Sequence, residues 1–133
     1  MIRQFTTIYA ERNPQRIAEY RTCFQQNISC PALTEICVSC KGGENLLPRS
    51  EKLRIRSIDQ RPTYTDFLDC INELASADDV SIIANTDIRC DNQLNFQFWQ
   101  MPSVVPALSR WDKNADSVSL YEHGDSQDSL IVR

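Results

Sequence analysis

An uninterrupted run of small and branched residues, Val80-Ser81-Ile82-Ile83-Ala84, ends abruptly on Asn85-Thr86-Asp87. A strand that is apolar at consecutive rather than alternate positions has to be covered on both faces. That places it in the middle of a largely parallel sheet with helices on either side. Open sheets of this kind bind ligands in the crevice beyond the carboxyl ends of their strands. Asn85 and Asp87 are therefore delivered to the edge where a site would form. Two further polar clusters border apolar runs, Ala107-Leu108-Ser109-Arg110-Trp111-Asp112 and Asp125-Ser126-Gln127-Asp128. Each alone reads as a turn, whereas three at successive strand ends predict one cleft.

The remainder of the chain supplies the elements that such a strand needs. Phe5 to Ala10 is β-prone, and Asn13-Pro14 then provides an N-cap with proline at the first helical position. Ile17, Tyr20, Phe24 and Ile28 recur at spacings of three and four, which predicts a helix with one face against a sheet. Leu33 to Ser39 is a second strand, ended by Gly42-Gly43, and Leu53 to Ile58 a third with a partly polar face. Thr63 caps a second predicted helix whose apolar stripe is Phe67, Leu68, Ile71, Leu74 and Ala75. A short helix from Asp91 to Gln100 and three strands, Val104 to Ser109, Val118 to Glu122 and Ser129 to Val132, complete the order βαββαβαβββ. The fold class expected is α/β with a mostly parallel central sheet, in one domain spanning residues 1–133.

At 133 residues with a formal net charge of −4 and no run of Lys or Arg, the chain lacks the footprint of a nucleic-acid binder. No stretch approaches the roughly 18 apolar residues of a membrane span and no long apolar segment opens the chain, so a soluble, cytoplasmic protein is expected. In that setting its six cysteines are expected to be reduced, several packed as small apolar side chains. Cys37-Val38-Ser39-Cys40 is formally a CxxC pair that could serve zinc or redox chemistry. A second pair with zinc spacing is missing, however, and Cys37 falls within a strand pattern.

Ala84-Asn85-Thr86-Asp87-Ile88, Ala107 to Asp112, Asp125 to Asp128 and Arg61-Pro62-Thr63-Tyr64 together resemble the nucleotide-sugar glycosyltransferases of the GT-A fold, especially small bacterial and phage glycosyltransferase-like proteins. The resemblance spans nearly the whole chain. It implies a GT-A-like architecture that binds a nucleotide-diphosphate sugar and transfers the sugar, with inversion, to a glycan, protein or small-molecule acceptor. Asp87, supported by Asn85, takes the place of the family's DxD motif and would hold Mn²⁺ or Mg²⁺, whose charge stabilises the departing diphosphate. Donor contacts are expected from Tyr9, Glu11, Arg12, Arg61, Asn85 and Asp87, and acceptor contacts from Arg110, Trp111 and Asp112. Asp128 is the first choice of general base, Asp125 the second.

Two departures from the family pattern accompany the match. Asn85 stands where the motif has its first aspartate, and the chain stops at Arg133, where the family continues, so a truncated version is expected. A non-catalytic nucleotide-sugar or protein-binding module on the same scaffold is the alternative. Most of these site residues have a plainer reading as well: Asn85-Thr86-Asp87 as a strand-end turn, Asp125 to Asp128 as a solvated hairpin loop, Trp111 as cover for the core edge, Arg110 with Asp112 as a surface ion pair, and Glu11 and Arg12 as loop charges. His123, the only histidine, reads as a loop residue.

Overall fold

The computed structural model describes residues 1–90, 107–108, 111–113, 117–120 and 129–132. Its elements are β1 (Ile2–Tyr9), α1 (Pro14–Ser29), β2 (Glu35–Lys41), a 3₁₀ turn at Glu44–Leu46, β3 (Leu53–Ser57), α2 (Tyr64–Leu74), β4 (Val80–Ala84), β5 (Ala107–Leu108), β6 (Trp111–Lys113), β7 (Val118–Leu120) and β8 (Ser129–Val132). The expected α/β class is what forms. One sheet has the order β3-β2-β1-β4-β8-β5, its first four strands mutually parallel and β8 antiparallel to both β4 and β5. β6 and β7 pair antiparallel in a second, two-stranded sheet.

Chain direction determines where the helices go. From β1 the chain moves to β2 on one side, whereas β4 is added on the other side of β1, and right-handed crossovers then send α1 and α2 to opposite faces. Two separate cores result. Ile8, Ile36, Val38, Ile82 and Ala84 pack with Phe24 of α1 and with Leu46, while Phe5, Cys37 and Ile83 pack on the other face with Ile71, Phe67 and Leu74 of α2. β1 and β4 thus bury both faces, which is why Val80 to Ala84 carries no polar alternation.

The helix starts behave as their sequences dictate. The Asn13 side chain accepts from the Gln15 N–H at 3.0 Å with Pro14 following it, and Thr63 forms a reciprocal capping box with Asp66. Other expectations need correcting. Leu68, which the sequence pattern places in the apolar stripe of α2, is 41% exposed, because Phe67, Cys70, Ile71 and Leu74 are the positions that meet the sheet. β1 begins at Ile2, ahead of Phe5, because Arg3 and Gln4 find buried polar partners. Trp111–Lys113 forms a strand that the sequence pattern did not suggest, and the helix expected over Asp91 to Gln100 lies outside the described residues. Among the described residues, no helix is long and apolar enough to cross a membrane.

At the amino ends of these strands a charge cluster is buried. The Arg3 guanidinium, 7% exposed, donates to the Asp79 carboxylate through Nη1 and to Glu35 Oε2 through Nε at 2.9 Å. Asp79 also accepts from the amino group of Met1 at 2.6 Å and from the Ser76 N–H at 2.8 Å. Its pKa is held below the usual aspartate value, first by the amino group, then by the Ser76 N–H and by Arg3. A depressed folded-state pKa means stability that is present above the unfolded value and lost as pH falls through the folded one. Wild-type stability should therefore decline as pH drops from about 5 towards 1. Asp79→Asn should start lower at neutral pH and decline less over that interval in denaturant melts, and parallel curves would show that another carboxylate controls acid unfolding.

Candidate functional site

The strand order reverses between β1 and β4, so a crevice opens at their carboxyl ends, the place where doubly wound sheets bind ligands. The chain leaves β1 through Tyr9 and Ala10 and leaves β4 through Asn85. Antiparallel β8 begins at this same edge: Ser129, the residue after Asp128 in sequence, pairs with Ala84, the residue before Asn85. Ser129 also pairs with Leu108, the residue before Ser109. The row Ala84, Ser129, Leu108 thus aligns the three places where the polar clusters meet the sheet.

The segment after β4 is tied down along its length. The Thr86 hydroxyl donates to the Thr7 carbonyl of β1, and the Ile88 N–H closes a turn onto the Asn85 carbonyl at 3.1 Å. From α1, the Cys23 thiol donates to the Asp87 carbonyl at 3.3 Å, and the Asn27 amide donates to the Ile88 carbonyl at 3.0 Å while its oxygen accepts from the Cys90 N–H at 2.8 Å. Asn27 also donates to Gln4 Oε1 at 3.0 Å, joining the segment to β1 through two buried amides. Arg16 of α1 donates through Nη1 to Asp87 Oδ2 at 3.2 Å and to Glu19 at 2.9 Å, and its Nη2 reaches the Tyr20 hydroxyl at 3.2 Å. Its pKa is raised, chiefly by the Tyr20 contact and also by Asp87.

On the α2 side of the sheet lies a half-open pocket of about 170 Å³. β1 contributes Thr7 and Tyr9, β4 contributes Ile83 and Ala84 with Asn85 following, and the start of α2 contributes Arg61 to Tyr64 and Phe67. Among the described residues the lining includes hydroxyls, an amide, aromatic rings and one cation, and no carboxylate. Gly43 supports one wall: a Cβ there would sit 2.7 Å from the Tyr9 carbonyl oxygen, so only glycine lets the chain after β2 pass so close to β1.

Of the residues expected to hold the donor, Tyr9, Arg61 and Asn85 share this pocket. Glu11 instead accepts from the N–H groups of Arg12 and Asn13, at 2.7 and 2.9 Å. These bonds, Asn13 first, depress its pKa and shape the entry into α1. Arg12 is exposed in the same loop. Asp87 does not line the pocket and turns to α1 and Arg16. Trp111 and Asp112 lie on β6, opposite Leu120 and Ser119 of β7. Arg110, Asp125 and Asp128 lie outside the described residues.

Among the described residues the donor set does not fit a divalent cation. Mg²⁺ and Mn²⁺ need several oxygen ligands converging on one point. Asn85 and Asp87 offer one amide oxygen and one carboxylate already paired with a guanidinium, and no group of three or more His, Cys, Asp or Glu side chains suited to a metal occurs among the described residues. Cys37 and Cys40 are not a zinc pair either. Three positions apart on one strand, they face opposite sides, Cys37 in the α2 core and Cys40 in the α1 core. Burial pushes the two thiols up to about 12 and about 11.

Arg16, Asn27, Gln4 and Cys23 were not singled out by their sequence context. A polar Asn27 one position before Ile28, on the buried side of α1, was the signal available. The Arg16–Asp87 pair is 41% and 30% exposed, so its loss should cost about 1 kcal/mol or less. Ile83→Ala, in the α2 core, should cost about 2–5 kcal/mol. Urea melts of Asp87→Ala and Ile83→Ala should reproduce that gap, and equal losses would make Asp87 a keystone of the fold. Comparison of the chain with protein-family models, curated proteins and solved structures returns no match.

Proposed function

We propose that this chain is a GT-A-like domain that binds a nucleotide-diphosphate sugar and transfers the sugar to a hydroxyl acceptor. The observation that carries the reading is the row Ala84, Ser129, Leu108, which brings the borders of the three polar clusters to the sheet edge where β1 and β4 part. Tyr9, Asn85 and Arg61 in the adjoining pocket offer ring, amide and cation chemistry to a nucleotide. In the proposed reaction an acceptor hydroxyl oxygen bonds to the anomeric carbon as the bond from that carbon to the diphosphate oxygen breaks. The electron pair leaves with the nucleoside diphosphate, and the hydroxyl proton passes to a carboxylate, for which Asp128 is the candidate. Arg110, Trp111 and Asp112 are proposed for the acceptor side.

A ligand that binds only the folded state raises its stability by mass action. Among UDP, GDP, CDP and ADP at millimolar concentration, at least one should raise the unfolding temperature, and no shift with any of them would remove the donor site. Catalysis is tested separately. Asp128→Asn keeps shape and removes basicity, so nucleotide affinity should persist while sugar transfer or donor hydrolysis falls by about 10²–10⁴-fold. A wild-type protein that binds a nucleotide sugar yet neither transfers nor hydrolyses it would be a binding module.

A further inference from the structure

We infer that the diphosphate of the donor is held by the Arg61 guanidinium, without a bridging divalent cation. This rests on the proposed nucleotide site and specifies its electrostatics. A diphosphate needs positive charge at the carboxyl edge of β1 and β4, and the chain has two ways to supply it. The metal route requires carboxylates that converge and are available, but the Asp87 carboxylate is engaged by Arg16 and its main chain is bonded to Cys23 of α1. Arg16 cannot substitute readily, because Glu19 and Asp87 already surround it with two carboxylates.

Arg61 is placed differently. It lines the pocket beside Tyr9 and Asn85, it is exposed, and it makes no ion pair among the described residues. Among the described residues no carboxylate lines the pocket to neutralise it, and the nearest acid of α2, Asp66, is occupied in the Thr63 capping box. A planar guanidinium can present paired donors to phosphate oxygens, which an ammonium cannot reproduce. Arg61 precedes α2 and makes no ion pair with any of the described residues, so its replacement should leave the scaffold intact.

The test is calorimetric titration of whichever nucleoside diphosphate gives the thermal shift, into metal-free protein with EDTA and into protein with Mn²⁺. Affinity should agree within about twofold in the two buffers, and Arg61→Gln should weaken it by about tenfold or more with an unchanged unfolding midpoint. Arg61→Lys should recover only part of the loss. Binding that appears only with Mn²⁺, or an Arg61→Gln protein that binds as the wild type does, overturns the inference while leaving the nucleotide site standing. No binding by the wild type in either buffer overturns the nucleotide site and this inference with it.

Discussion

Burial of the Arg3 guanidinium is the constraint around which the central sheet is organised. A guanidinium removed from water must be met by opposite charge and by acceptors for its N–H groups, since a buried charge that loses its partner is strongly destabilising. Arg3 on β1 is met by Glu35, its register partner on β2, and by Asp79, which immediately precedes β4. One side chain therefore locks the relative positions of three parallel strands. A slip of either neighbour by one residue would invert its faces and leave the charge unpaired. Arg54 on β3 joins from outside through Glu35, at 2.7 Å, and so brings in the edge strand.

This arrangement places the buried charge cluster and the pocket at opposite ends of the strand axis. The charge cluster, the Met1 amino group and the Ser76 turn all lie at the amino ends of β1 and β4. The pocket and the row Ala84, Ser129, Leu108 lie at the carboxyl ends. Between the two, the Gln4–Asn27 amide pair anchors the segment after β4 to α1 as well as to β1. Asn85 is thus followed by a turn whose flanks are bonded to two elements, β1 and α1.

Elements with strong periodicity or capping were legible in the sequence. The apolar stretch Val80 to Ala84, the Asn13-Pro14 start of α1 and the Thr63 start of α2 all depend on local chemistry, and all are found as expected. What was hidden depends on contacts between distant parts of the chain. Arg3 reads as an exposed charge until Glu35 and Asp79 are seen beside it, and Asn27 reads as a helix-surface amide until Gln4, Ile88 and Cys90 are found around it. Asp87 illustrates the limit best. Its spacing from Asn85 suggests two ligands on one face, but the turn closed by Ile88 brings Asp87 to α1 while Asn85 borders the pocket on the α2 side. Local sequence could not reveal that divergence, because it is set by Arg16, 71 positions away.

Pocket size determines how the proposed site must be divided. At about 170 Å³ the pocket is smaller than the roughly 300–1,000 Å³ that encloses a drug-sized ligand, so it accommodates one portion of a nucleotide sugar and leaves the rest outside. On the proposed reading the portion that gains most from it is the charged one, because a cation lined by rings and hydroxyls, with no carboxylate among the described lining residues, attracts phosphate more than a neutral sugar. The sugar and its acceptor would then lie towards β8 and β5, along the row that starts at Ala84. On this division Arg61 sets affinity for the nucleotide, and the residues bordering Ser129 and Leu108 set what is done with it. On the proposed reading affinity and chemistry fall on opposite sides of β4, so the donor site would not depend on a carboxylate pair after β4, where Asn85 supplies an amide and Asp87 is paired with Arg16.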